Sequence, residues 1–217
     1  MIKAVIFDLD GTLIDTEKLY RKFWPMAMKE HGFELSDERA LFIRSLGRPF
    51  APAQYKEWFG DDFDYYAVRD TRKRIFNEHV EKYGIEAKKG AGECLGKLRE
   101  MGLITAICTA TDPERTDRYL KLAGIDGLFD SIVSATMVTR GKPAPDVYLY
   151  ACERLGLLPE ECIAVEDAPN GIISASDAGL KVIMVPDQTG PDERTEGRVT
   201  AVLECLTDIP EFINQLK

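Results

Sequence analysis

Val5-Ile6-Phe7-Asp8-Leu9-Asp10-Gly11-Thr12-Leu13 is the stretch on which the reading of this chain turns. An apolar run ends abruptly in two carboxylates one residue apart, and a glycine follows. Burying ionised carboxylates is costly unless a cation or tight hydrogen bonds compensate. A pair placed where a core strand emerges therefore implies a metal, a reacting group, or both. The plain alternative is an Asp-Gly turn after an edge strand. Three later segments tilt the balance toward chemistry.

Outward from this stretch, further strand-like runs occur at Ile104 to Thr109, Ser131 to Ser134, Cys162 to Glu166, Lys181 to Val185 and Ala201 to Leu203. The first strand itself is expected over Lys3 to Asp8. Helix-length segments lie between most of them, among them Glu93 to Glu100, Pro113 to Leu122, Asp146 to Leu155 and Ile172 to Asp177. Strand alternating with helix predicts an α/β fold, a Rossmann-like parallel sheet covered on both faces with right-handed crossovers.

One segment breaks the rhythm. From Asp15 to about Ile85 no strand is evident, and Leu19, Phe23, Met26 and Ala27 follow a helical spacing, as do Ala67, Ile75 and Val80. Gly47-Arg48-Pro49 interrupts the series. The expectation is a catalytic core over 1–14 and 86–217 and a helical cap inserted over 15–85. The hinges would fall near Gly11 to Thr16 and Gly84 to Gly90. A helical lid beside a reactive strand end can expel water and orient a substrate.

Composition narrows the partners. Acidic residues outnumber basic ones 37 to 28 in 217 residues, a net charge of −9. That balance disfavours nucleic acid and anionic membrane surfaces, which need a positive footprint. No uncharged apolar run approaches the roughly 18 residues of a membrane helix, and the first apolar run meets Asp8 too soon for a signal peptide. Cys94, Cys108, Cys152, Cys162 and Cys205 are odd in number and lack CxxC spacing, so a reduced, cytoplasmic protein is expected. Only His31 and His79 are present, too few for a multi-histidine metal site.

In an open parallel sheet, ligands bind beyond the carboxyl ends of the strands. Asp8 and Asp10 follow the first strand, Thr109 ends the second, Lys142 lies between the third strand and its helix, and Glu166 and Asp167 end the fourth. Acid, hydroxyl, ammonium and acid thus recur at one edge. Carboxylates suit Mg²⁺, and lysine and threonine suit phosphate oxygens, so the set fits phosphoryl transfer.

Together, DLDGT at Asp8 to Thr12, Thr109, Lys142 and Glu166-Asp167 resemble the four motifs of the haloacid dehalogenase-like hydrolases. GKPAPDVY and VEDAPNGI resemble the branch containing phosphoglycolate phosphatase and β-phosphoglucomutase. The resemblance covers about two thirds of the chain. It implies Asp8 as nucleophile, and Asp10 as the group that protonates the leaving oxygen and then deprotonates water. It implies Mg²⁺ held by Asp8, the Asp10 carbonyl and Asp167, with Glu166 nearby. Thr109 and Lys142 would hold the phosphoryl group with backbone groups near Leu9, Gly11 and Ala110. The implied activity is a phosphatase of small phosphorylated metabolites, sugar phosphates first. A phosphomutase is the alternative. Tyr20 stands where similar mutases carry a cap histidine, and Thr12 replaces a frequent valine, both favouring hydrolysis; Arg48 matches the mutase cap loop. A phosphoacceptor signalling domain is the non-enzymatic alternative, although its accepting aspartate belongs on a later strand.

Each residue also has a plainer reading. Lys142 could be a solvated lysine in a Pro-rich loop, Thr111 a helix cap before Asp112-Pro113, and Asp167 the cap of a helix beginning near Ala168. Gly171 and Gly179 read as backbone-shape residues. Among residues of the insertion, Arg48, Lys73, Arg72, Arg74 and Tyr20 are the candidates for substrate contact, Arg48 and Tyr20 foremost. The run from Arg69 to Arg74 reads otherwise as a solvated helix face, Phe23 as core of the insertion, and Trp24 and Trp58 as packing residues. The substrate's identity and the oligomeric state are not encoded in any readable pattern.

Overall fold

The computed structural model describes residues 1–216. Six parallel strands form one sheet: β1 (Ala4–Phe7), β2 (Ile104–Thr109), β3 (Ser131–Ser134), β4 (Cys162–Glu166), β5 (Lys181–Met184) and β6 (Ala201–Val202), in the spatial order β3-β2-β1-β4-β5-β6. β1 is central and fully buried, with Ala4 opposite both Ile104 and Cys162. Its alternation feeds two cores. Val5 and Phe7 join Ile107, Ile163 and Val165 on one face, while Ala4 and Ile6 join Ala106, Cys108 and Ala164 on the other. Burial on both faces is why the strand reads as an unbroken apolar run.

The helices that cover the sheet start where the sequence marks them. α6 (Pro113–Ala123) has Pro113 in its first turn, and its cap Asp112 accepts the Arg115 N–H at 3.0 Å. α7 (Asp146–Leu155) and α8 (Pro169–Asp177) pack on the face containing Ala4 and Ile6. The opposite face is covered by α5 (Ala91–Glu100), α6 and a short α9 (Ile209–Gln215) that the sequence reading did not anticipate.

Between β1 and α5 lie four helices: α1 (Glu17–Glu30), α2 (Asp37–Phe42), α3 (Phe50–Phe59) and α4 (Tyr65–Tyr83). They share an aromatic interior in which Phe23, Tyr55, Phe63 and Phe76 are buried, continuous with one sheet-facing core. Met26, expected on the inner face of α1, is 45% exposed; Met28 takes the buried place instead. The two chain segments joining this insertion to the sheet are laced together. Asp15 N–H donates to the Glu86 carbonyl at 2.9 Å and Lys88 N–H to the Leu13 carbonyl at 2.8 Å.

A second junction lies between the α2–α3 loop and the loop before α7. Gly47 N–H donates to the Lys142 carbonyl and Gly141 N–H to the Arg48 carbonyl, each at 2.7 Å. The backbones are so close that a Cβ on Gly47 would lie 2.8 Å from Gly141 Cα.

Candidate active site

The strand order reverses between β1 and β4, so the edge beyond their carboxyl ends is the topological switch point. Asp8 continues the ladder there, its N–H donating to the Val165 carbonyl at 2.9 Å. Lys142 comes to it from the loop before α7. Its ammonium donates to Asp8 Oδ1 at 2.5 Å, to Glu166 Oε1 at 2.6 Å and to the Cys108 carbonyl at 3.0 Å. Lys142 is fully buried, which removes the solvated-loop reading. Burial alone would pull its pKa down, but Asp8 and Glu166 hold it well above the ordinary lysine value. Tyr148 donates its hydroxyl to Glu166 Oε1 at 2.5 Å.

Asp8 Oδ2 and Glu166 Oε2 are buried and have no hydrogen-bond partner. Ligand oxygens of Asp8, Glu166 and Asp167 lie within 4.8 Å of one another. Burial, then Glu166, Asp167 and Asp10, push the Asp8 carboxyl well up against the pull of Lys142. Burial pushes Asp167 up to about 7, with Arg44 opposing it and Glu166 and Asp187 adding to it. Orphaned carboxylate oxygens crowded in this way suit a hard divalent cation, which takes oxygen ligands and removes the repulsion. The residues fit Mg²⁺.

Two glycines make room for these acids. Gly11 has φ +89°, and a Cβ there would fall 2.7 Å from Asp167 Oδ2. A Cβ on Gly171 would fall 2.0–2.2 Å from the Glu166 carboxylate. Gly171 thus serves close packing against an acid, a role that its sequence context did not signal.

Asp10 accepts a hydrogen bond on each oxygen, from Thr16 Oγ1 at 2.6 Å and from Thr111 Oγ1 at 2.9 Å. Thr111 is therefore not the helix cap; Asp112 takes that place and frees the Thr111 hydroxyl for Asp10. Thr109 is fully buried and its Oγ1 accepts the Thr111 N–H at 3.0 Å. Leu9 and Gly11 are buried in the same turn, and Ala110 is exposed on the cavity wall. Asp167 does not cap α8 either: Ala168 occupies that position, with no side-chain cap bond. Asp167 instead accepts from Arg44 at 3.3 Å and from Thr12 at 3.4 Å.

The insertion closes over this edge to form a cavity that Asp8 and Asp10 line from below. Tyr20 and Arg48 line it from the insertion side. Lys73 does not: it lies one residue past Arg72, turned about 100° around the helix, and pairs with Asp70 at 3.2 Å. The run from Arg69 to Arg74 divides by helix geometry. Arg69 and Arg72 line the cavity, whereas Arg74 pairs outside with Glu30 and Glu78. Trp24 also lines the cavity as well as packing on Tyr55 and Tyr65, while Trp58 packs within the insertion against Phe42, Tyr55 and Phe59. Phe23 is core of the insertion. The sequence reading passed over Glu17, Arg44 and Arg115, all of which reach the cavity. Glu17 is buried, its carboxyl pushed well up by burial and by Asp167 and Asp10.

A family model for haloacid dehalogenase-like hydrolases matches residues 2–179. The chain belongs to this family. Hexitol phosphatase A of Escherichia coli (strain K12) is 36% identical to this hydrolase, over 95% of this chain and 93% of that protein. The validoxylamine A 7'-phosphate phosphatase of Streptomyces hygroscopicus subsp. limoneus is 30% identical, over 96% of each. A crystal structure of a haloacid dehalogenase-family hydrolase from Deinococcus radiodurans R1, with bound phosphate and sodium, has a TM-score of 0.74 at 28% identity, covering 99% of this chain and 96% of that one. This hydrolase is a phosphatase. The reading as a phosphoacceptor signalling domain gives way to that membership. Among the described residues, no helix is long and apolar enough to cross a membrane.

Proposed function

We infer that this hydrolase cleaves the phosphate monoester of a small polyol or sugar in the presence of Mg²⁺, through a phosphorylated Asp8. The observation that carries the reading is the state of Asp8. It lines the cavity, one oxygen is held by Lys142 and the other is buried without a partner. Its relatives include a hexitol phosphatase and a validoxylamine A 7'-phosphate phosphatase, and the Deinococcus structure holds bound phosphate.

In this reading a carboxylate oxygen of Asp8 forms a bond to phosphorus as the ester oxygen leaves, taking a proton from Asp10. A water then gives its proton to Asp10 and attacks the same phosphorus, which regenerates the Asp8 carboxylate and releases phosphate. The hydroxyls of Thr16 and Thr111 fix the orientation of Asp10 through both steps. Lys142, held charged, and Thr109 take the charge of the transferring group. Mg²⁺, bound by Asp8, Asp167, Glu166 and the Asp10 carbonyl, would neutralise phosphoryl oxygens. Tyr20, Trp24, Tyr55 and Tyr65 wall the cavity against water. The five cysteines are all free thiols, in keeping with a reducing, cytoplasmic setting.

The test is phosphate release from a panel of sugar and polyol phosphates with Mg²⁺ or chelator, beside Asp8→Asn. Metal-dependent release that disappears in Asp8→Asn is expected. Isomerised sugar phosphate with little free phosphate would replace hydrolysis by a mutase reaction, and full release by Asp8→Asn would remove the covalent step.

A further inference from the structure

Asp8 and Glu166 each keep one carboxylate oxygen occupied and leave the other free. Asp8 Oδ1 accepts from Lys142 at 2.5 Å, whereas Oδ2 has no partner. Glu166 Oε1 accepts from Lys142 at 2.6 Å and from the Tyr148 hydroxyl at 2.5 Å, whereas Oε2 has no partner. Lys142 belongs to the phosphoryl-holding set, but Tyr148 has no part in the reaction derived above. It stands third in α7, fully buried, and does not line the cavity. Its ring belongs to the apolar layer that holds Cys108, Val147 and Ala151. A phenylalanine would fill that place as well. The hydroxyl is the costly part, because it must leave water, and Glu166 is the partner it meets.

The Glu166 carboxylate is closed in from a further side. A Cβ on Gly171 would fall 2.0–2.2 Å from its Cδ and both its oxygens, so main chain lies directly against the group. The Lys142 ammonium is divided among Asp8, Glu166 and the Cys108 carbonyl. Tyr148 is thus the one donor that Glu166 does not share. With Oε1 taken twice over, Glu166 reaches a cation through Oε2 alone. Asp167 is held more loosely, by Thr12 on one oxygen at 3.4 Å and by Arg44 on the other at 3.3 Å. Ca²⁺ gathers about six to eight oxygens and often chelates a carboxylate through both; Mg²⁺ keeps several waters and takes single oxygens in a near-octahedral shell. Acids that present one oxygen apiece suit the smaller ion.

We propose that Tyr148 is a positioning residue which, by pinning Glu166 Oε1, makes the acidic site select Mg²⁺ against Ca²⁺. The proposal rests on the Mg²⁺ reading of Asp8, Glu166 and Asp167 and adds to it the basis of the choice between ions.

The experiment measures the dissociation constants of Mg²⁺ and Ca²⁺ by calorimetry on full-length wild-type protein and on Tyr148→Phe, without substrate. The wild type should bind Mg²⁺ more tightly than Ca²⁺. In Tyr148→Phe the freed Oε1 can turn toward the ion, so the ratio of the Ca²⁺ to the Mg²⁺ constant should fall about tenfold, the worth of one hydrogen bond to a charged group. A hydroxyl that serves only the fold would lower the metal-free melting temperature and weaken both ions by the same factor. An unmoved ratio therefore overturns the proposal, as does a wild type that favours Ca²⁺. A crystal structure of the wild type soaked in Ca²⁺ supplies a measurement that needs no variant. Glu166 should touch the ion through Oε2 alone, and chelation through both oxygens overturns the proposal. Mg²⁺ bound with an unmoved ratio would sink only the role of Tyr148. No Mg²⁺ binding by the wild type would sink the metal reading beneath it, and the proposal with it.

Discussion

Arg44 and Asp167 form an ion pair across the seam between the helical insertion and the sheet, 3.3 Å apart, with side chains 3% and 0% exposed. The arginine also donates to Thr189, and Asn170 fastens its backbone carbonyl at 2.8 Å. An acid expected to hold a cation is therefore held by one side chain of the insertion. Removing one partner of a buried pair costs about 3–5 kcal/mol, because the other charge stays behind. Arg44→Met should lower the melting temperature of the metal-free protein. Mg²⁺ should recover a larger share of that loss than it adds to the wild type, because Asp167 is then unopposed. Thermal melts with and without Mg²⁺ decide this; equal increments in both proteins would contradict it.

Asp8→Asn keeps the shape of the side chain and removes its charge. Phosphate release should fall to background while the circular dichroism spectrum stays that of the wild type. Lys142→Met should do more damage to the fold, since Asp8 and Glu166 then face each other without the ammonium that joins them. A loss on the order of 3–5 kcal/mol is expected from denaturant unfolding.

The acids also set a pH dependence. Asp8, Glu17 and Asp167 all have folded pKa values raised above their ordinary ones, Asp167 to about 7. The folded state then holds these protons more tightly than the unfolded chain does. Their contribution to stability is complete below the unfolded carboxyl pKa, about 4, and is lost as pH rises through the folded values. Lys142, raised, stays charged throughout. The metal-free protein should melt lower at pH 8 than at pH 6, and Mg²⁺, which competes with those protons, should add more at pH 8. A metal increment that shrinks as pH rises would contradict the arrangement.

Two glycine substitutions contrast space with backbone conformation. Gly171→Ala puts a methyl on the Glu166 carboxylate and should cost about 1–3 kcal/mol from crowding while also reducing turnover. Gly32→Ala meets nothing within 4 Å and has φ +80°, so it should cost only about 1 kcal/mol of backbone strain and leave kcat unchanged. Denaturant melts and phosphate-release assays on both variants check the pair.

The sheet was legible because strands buried on both faces read as nearly continuous apolar or β-branched runs, as in Ile104–Thr109 and Cys162–Glu166, with charge appearing only at the last residue. Pro113 marked the start of α6, although the cap was read as Thr111 and is Asp112. The gathering of Asp8, Asp10, Lys142, Glu166 and Asp167 at one edge followed from strand order alone. Elsewhere on the cavity wall Tyr20 and Arg48 were legible, but Arg44 and Arg115 were not. Whether an arginine faces water or a cavity depends on which helix packs over it, and Arg44 and Arg115 sit in stretches with no inward period. A signal did exist in α4: Tyr65, Arg69, Arg72 and Phe76 recur at i, i+4, i+7 and i+11, so two arginines occupy slots of an apolar stripe. Thr111 was obscured differently, because two caps competed for one helix start and only the structure shows that Asp112 takes it.

The paired glycines of the seam, Gly47 and Gly141, bind the insertion to the lysine loop through main chain alone. No side chain can be exchanged to loosen that clasp; only added bulk at either glycine can. Parting the insertion from the sheet at this point tugs on the carbonyl of Lys142 itself. The position of the insertion and the position of the Lys142 main chain are thus set by the same pair of backbone bonds.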